Sequence, residues 1–182
     1  MNSKGMFGKG NNDEKYTPAY AVRPLLEFIP KEAIIWCPFD TKESEFVKVL
    51  NEYHKVVYSH VFNGQDFFKY DPTDNGINWD IIASNPPFTK KRLFFERAFE
   101  LGKPFALLMT MAWLNDSGYF NVYTKFKSRL QLLTFDKRIH YTDQEGMVNK
   151  KTTFASGYFC HNFLDNITEM RRLNTDNQMS LL

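Results

Sequence analysis

The stretch Asp80-Ile81-Ile82-Ala83-Ser84-Asn85-Pro86-Pro87-Phe88 constrains the fold more than any other part of this chain. Its first half is an apolar run of strand length. Its second half ends that strand, because two successive prolines lack amide donors and hold the backbone in an extended, stiff turn. Such a turn presents fixed carbonyls at the end of a buried strand.

The flanking sequence predicts what surrounds that strand. Residues 33–37 form a second short apolar run, and Phe46, Val49, Leu50 and Tyr53 follow at helical spacing. Residues 55–61 are rich in β-branched and aromatic side chains and read as a strand. Residues 91–101 carry Phe94, Ala98 and Leu101 on one helical face and stop at Gly102, with Pro104 beyond. Residues 105–109 read as the next strand. Alternating strands and helices predict an α/β domain with a Rossmann-like, mostly parallel sheet covered on both faces, whose ligand sites lie beyond the carboxyl ends of the strands.

The last third changes character. Residues 130–135, 138–141 and 153–163 are three strand candidates with no long helix between them, which predicts an antiparallel C-terminal segment. Residues 142–151 read as an exposed loop beside the site. Residues 1–15 and 174–182 offer little to bury and are expected to be mobile, leaving a single domain over 16–173.

Bulk properties exclude several classes. With 182 residues, 43% hydrophobic and 18 Phe, the chain can bury one substantial core and is not a disordered polymer. No apolar run reaches the roughly 20 residues that span a bilayer, and the N-terminus lacks a signal-peptide core, so a cytoplasmic protein is expected. Cys37 and Cys160 lie in apolar, strand-like stretches without metal spacing and read as buried free thiols. Lys plus Arg exceed Asp plus Glu by only 23 to 21, so any nucleic-acid surface has to come from local patches. Lys90, Lys91 and Arg92, with Lys150 and Lys151, form one candidate; a solvated charged face reads equally from the same residues.

Chemistry enters with Asn85-Pro86-Pro87-Phe88. The Asn85 side-chain oxygen and the Pro86 carbonyl form an acceptor pair suited to an NH2 group, and Phe88 is placed to stack on a base at about 1–3 kcal/mol. Two acceptors holding the hydrogens of an amino group favour the pyramidal nitrogen that develops during alkylation. A plain strand-ending turn explains Pro-Pro alone, but the strand before it and the helix after it make the four residues a specific signal.

On these residues the chain resembles the adenine-N6 methyltransferases, particularly the small forms encoded by phages and prophages, over roughly residues 16–164. The resemblance implies S-adenosylmethionine as cofactor and a nucleic acid, DNA favoured, as substrate. Tyr16-Thr17-Pro18 resembles the family's N-terminal cofactor motif, and Cys37, Pro38, Phe39 and Asp40 fall at its first cofactor loop. Asp66, Phe67 and Phe68 resemble the motif near the cofactor's adenine. The resemblance further implies that the strand over 105–109 closes the sheet beside the catalytic loop. It also implies that Thr153-Phe154-Ala155-Ser156 holds a base contact at Phe154, which competes with an ordinary core aromatic.

The chain also departs from that pattern. The first cofactor loop has no glycine, so its backbone is expected to approach a ligand less closely. Asp40 reads either as a cofactor contact or as a helix N-cap. No carboxylate follows the second strand, where Ser59 and His60 stand instead. Asp66 reads as a cofactor acceptor or as part of a Gly-Gln-Asp turn. With no room for a separate recognition domain, short loops such as 115–127 and 142–151 are expected to discriminate the target. Two other functions stay open: a degenerate fold that binds nucleic acid or protein without transfer, and methylation of a protein side-chain amide.

Overall fold

The computed structural model describes residues 16–142, 148 and 152–175. Seven strands form one sheet: β1 (Ile34–Cys37), β2 (Lys55–Tyr58), β3 (Ile81–Ser84), β4 (Phe105–Thr110), β5 (Gln131–Phe135), β6 (Ser156–His161) and β7 (Thr168–Arg171). Their spatial order is β2-β1-β3-β4-β6-β5-β7. All run the same way except β6, which is antiparallel to both β4 and β5. The architecture is α/β with a mostly parallel sheet, compatible with a Rossmann-like fold.

Helices cover both faces because the strands alternate apolar residues to each side. Ile35, Cys37, Ile81, Ala83, Ala106, Leu108, Tyr158 and Cys160 join one core with α1 (Ala19–Val22), a 3-10 stretch (Arg23–Phe28) and α2 (Glu45–Asn51). Trp36, Ile82, Phe105, Leu107, Met109 and Phe159 join the other with α3 (Lys91–Glu100) and α4 (Ser117–Phe126). Period-2 alternation with both sides apolar is what a doubly covered sheet requires. Both cysteines are free and buried.

The described structure corrects four readings of the sequence. Residues 138–141 are not a strand, although Ile139 and Tyr141 alternate into the core. The Tyr20 hydroxyl receives the His140 N–H at 2.9 Å and donates to its carbonyl at 3.3 Å, so a side chain satisfies the backbone that a neighbouring strand would have paired. Residues 117–126 are not a loop but α4: Asp116 caps it, accepting the Gly118 N–H at 2.7 Å, and Lys127 ends it in the left-handed region at φ 49°. The second strand stops at Tyr58, and Val61–Asn63 is a 3-10 turn. The strand over 105–110 does not close the sheet; it is interior, between β3 and β6.

Two further elements left no strong trace in sequence. The N-terminal helix α1 is a single turn, and β7 is a polar edge strand held to β5. Most of the loop over 142–151, both terminal segments (1–15 and 176–182) and the lysines at 150 and 151 lie outside the described residues.

One glycine sets how closely β5 and β6 approach. A Cβ on Gly157 would stand 2.8 Å from the Leu133 carbonyl oxygen and 2.9 Å from Met111 Sδ. The backbone contact cannot yield as a side chain would. We expect Gly157→Ala to lower the unfolding free energy by about 1–3 kcal/mol in urea denaturation; an unchanged midpoint would show that the two strands can separate without loss.

Candidate functional site

The chain reverses direction across the sheet at β1. From β1 it moves outward to β2, then crosses back over β1 to β3 and continues to β4. The carboxyl ends of β1 and β3 therefore diverge into loops on opposite sides of one crevice, the usual place for a ligand in such sheets. The segment over 38–44 leaves β1 there, and Asn85-Pro86-Pro87-Phe88 leaves β3.

Because β6 is reversed, its entry end lies at this same edge. Ser156 pairs with Thr110, the last residue of β4, and the Met111 N–H bonds the Ala155 carbonyl at 2.9 Å. The segment over 152–155 is thereby delivered next to the Pro-Pro turn. Phe88 and Phe154 meet edge to face with centroids 5.8 Å apart and planes at 81°, and Tyr141 lies 5.9 Å beyond Phe154. Tyr141 was missed in sequence; its alternation with Ile139 marked it only as core.

The N-terminal segment completes the edge. Tyr16 and Thr142 exchange two backbone hydrogen bonds at 3.0 Å, which anchors the residues just before α1. Thr17 is buried beside them, and Pro18 precedes the first turn of α1. The Asn85 Nδ2 donates to Thr17 Oγ1 at 3.1 Å, which fixes the amide plane. Asn85 Oδ1 is buried and accepts from nothing among the described residues. Pro86 is buried and Pro87 exposed, and neither has an N–H to turn toward that oxygen. An acceptor held in place without a donor is costly unless a ligand supplies one.

Beneath the crevice, Asp40 ties the two loops together. Its carboxylate accepts from the Ser44 and Ser84 hydroxyls, joining the loop after β1 to the last residue of β3. Asp40 is 6% exposed and Ser84 is fully buried. Burial pushes the Asp40 carboxyl up to about 6, while the two serine hydroxyls pull the other way. Asp40 does not cap α2, whose N-cap is Ser44. Ser59 is also turned inward: its Oγ accepts from Trp36 Nε1 at 3.0 Å and its backbone bonds Cys37 and Asp40.

Asp66 and Phe67 sit farther along the same edge. Asp66 Oδ1 accepts the Phe68 N–H at 3.1 Å, as a turn residue does. Phe67 is 3% exposed, its ring 4.9 Å from Phe39 and 5.4 Å from Trp36. Half-buried Phe68 stacks on Phe94 at 5.0 Å and 15°. Cys37, Pro38 and Asp40 are buried in the loop after β1, Ser59 and Phe67 face inward, and Phe39, Asp66 and Phe68 are half-buried, while Tyr16, Thr17 and Pro18 precede α1.

The basic residues divide. Lys91 pairs with Asp116 at 2.9 Å and Arg92 with Glu96 at 3.2 Å, so Lys91 turns away from the crevice toward α4, while Lys90 lies exposed just before it. Among the described residues no cluster of three or more His, Cys, Asp or Glu offers a metal site, and no helix is long and apolar enough to cross a membrane. Comparison with protein-family models and with curated proteins finds no match.

Asp40 gives the site a pH signature. Its carboxyl titrates near 6 in the fold against an ordinary value of 3.8. The folded state therefore binds the extra proton, and stability falls as pH rises through that window, by on the order of 3 kcal/mol in total. We expect Asp40→Asn to gain stability relative to the native chain between pH 4 and 7 in parallel urea titrations. A pH-independent difference would show that burial is relieved by some other route.

Proposed function

We propose that the chain transfers a methyl group from S-adenosylmethionine to the exocyclic N6 amino group of adenine in a nucleic acid, with DNA the favoured polymer. The observation that carries this reading is the unpaired, buried Asn85 Oδ1, oriented by Thr17 at the start of the Pro-Pro turn. An exocyclic amine brings the donors that this oxygen lacks.

The adenine amino lone pair is delocalised into its ring. Hydrogen bonds from its two N–H groups to Asn85 Oδ1 and the Pro86 carbonyl draw the nitrogen toward a pyramidal geometry and aim its lone pair out of the ring plane. Phe88, crossed edge to face by Phe154, supplies a wall on which a base swung out of its stack can lie. When bound, S-adenosylmethionine supplies an electrophilic methyl on a sulfonium. Its methyl would pass from sulfur to the nitrogen that Asn85 Oδ1 and the Pro86 carbonyl hold, and the surplus proton of that nitrogen would go to water. No strong base is needed, and Asp40 beneath the crevice is engaged by two serines.

A second reading is favoured by one specific observation. Asp40, Ser59 and Phe67 all face inward, so a protein that binds nucleic acid or another protein through this edge without transferring a group would show the same packing. Calorimetry with S-adenosylmethionine separates the two, because the second predicts no heat of cofactor binding from folded protein.

The direct test is incubation with labelled S-adenosylmethionine and DNA, RNA or protein, followed by digestion and mass spectrometry. We expect N6-methyladenine, abolished in Asn85→Ala. Thr17→Val keeps the side-chain shape but releases the amide, and is expected to lower kcat about 10- to 100-fold with less change in KM. Methylated glutamine or asparagine in place of methyladenine would reassign the substrate.

A further inference from the structure

Beyond the crevice, α3 and α4 bring their N-terminal turns together around a cleft of about 360 Å³. Lys91, Arg92, Trp113, Ser117, Gly118 and Asn121 line it. Its floor holds an anomaly. The chain has three tryptophans, and two have acceptors for their indole N–H: Trp36 donates to Ser59 at 3.0 Å and Trp79 to Asp71 at 2.8 Å. Trp113 is fully buried and its Nε1 has no partner among the described residues. A Cβ on Gly118 would stand 3.4 Å from that nitrogen, 3.4 Å from Arg92 Cβ and 3.0 Å from Asp116 Oδ1, so only bare glycine backbone fits against the indole N–H.

We propose that this cleft binds a backbone phosphate of the nucleic acid, one that flanks the target base. The inference rests on the reading of the chain as a nucleic-acid methyltransferase, and adds how the polymer is held. An unpaired buried donor calls for an oxygen acceptor, not for a cation or an apolar group. The hydroxyl of Ser117, in the first turn of the ten-residue α4, and the amide of Asn121, one turn on, stand at the same opening, at the end where the helix dipole favours negative charge. Asp116 already caps that helix and is neutralised by Lys91, so the cleft carries no uncompensated carboxylate. Thr89, which directly follows Phe88, and Lys90 also line the cleft, so it opens beside the turn that receives the base. A phosphodiester one or more nucleotides from that base suits both the spacing and the chemistry.

The full chain labelled with ¹⁵N reports the site directly through its three indole signals, with Trp113 assigned by Trp113→Phe. Three ligands are titrated: inorganic phosphate, a single-stranded adenine-containing oligodeoxynucleotide, and the same bases on an uncharged methylphosphonate backbone. The expected result is a downfield shift of the Trp113 indole proton with the phosphodiester strand, none with the methylphosphonate strand, and stationary Trp36 and Trp79 signals. Inorganic phosphate at millimolar concentration is expected to move the same signal to a smaller extent.

Gly118→Ala places a methyl over the indole and is expected to weaken oligonucleotide binding about tenfold; because that methyl also meets Asp116 Oδ1 at 3.0 Å, the melting temperature is measured alongside to show that the variant stays folded. An unmoved Trp113 signal with the phosphodiester strand, or an equal shift with the uncharged one, would overturn the proposal. The reaction is separable: methyl transfer with an unmoved Trp113 signal discards the cleft alone, and a Trp113 shift without any transfer discards the reaction alone.

Discussion

The bridge from Asp40 to Ser84 and Ser44 is the interaction on which the functional edge depends. β1 and β3 are neighbours, but their chains leave the sheet toward different helices, and nothing in the strand ladder holds the two exits at a fixed separation. A single carboxylate with two hydroxyl donors does so. It sits directly beneath Asn85, so the backbone that presents the Pro-Pro turn is fixed from below while Thr17 fixes the amide from the side. The arrangement holds a buried acid above the ordinary carboxylate range, because two neutral hydroxyls offset only part of its desolvation.

The strands that build this edge were legible because they are buried on both faces. Residues 33–37, 81–84 and 105–109 show continuous apolar runs, and the helix at 91–100 ends at a glycine with φ 70°, so each signal came from burial or backbone geometry within the segment itself. What stayed hidden depends on distant partners. His140 has its backbone satisfied by a tyrosine 120 residues away, and no local pattern reveals that. The segment at 115–127 resembled a loop because its first residues are Asn-Asp-Ser-Gly. Its helical signal, Tyr119, Val122 and Phe126, is carried by rings that pack on α3 and β6, with Phe126 stacked 4.6 Å from Phe99.

The site was legible in the same uneven way. Phe88 and Phe154 lie together because the reversed β6 returns its entry end to the carboxyl edge. The polar residues around the first loop lie at that edge too, but their direction was not readable. Whether Asp40 or Ser59 faces solvent or core is decided by Ser84 and Trp36, which are distant in sequence. Glycine-poor composition in this loop has a structural counterpart: Pro38 and Asp40 are buried, so the chain turns beneath the crevice instead of lining it with bare backbone.

The placement of β6 between β4 and β5 has a consequence for how the chain acquires its structure during synthesis. β5 is complete by residue 135, yet it touches the rest of the sheet only through β6, which ends at residue 161. Until then β4 presents an unpaired edge, and β5 has no strand to join. The parallel half, through residue 110, can condense earlier around Trp36, Ile82 and α3. The long-range pairing that inserts β6 comes after this, and loop-closure entropy makes such a step slow. The nascent chain thus carries an open sheet edge until its final quarter emerges, and it is then most exposed to strand exchange with a neighbouring copy.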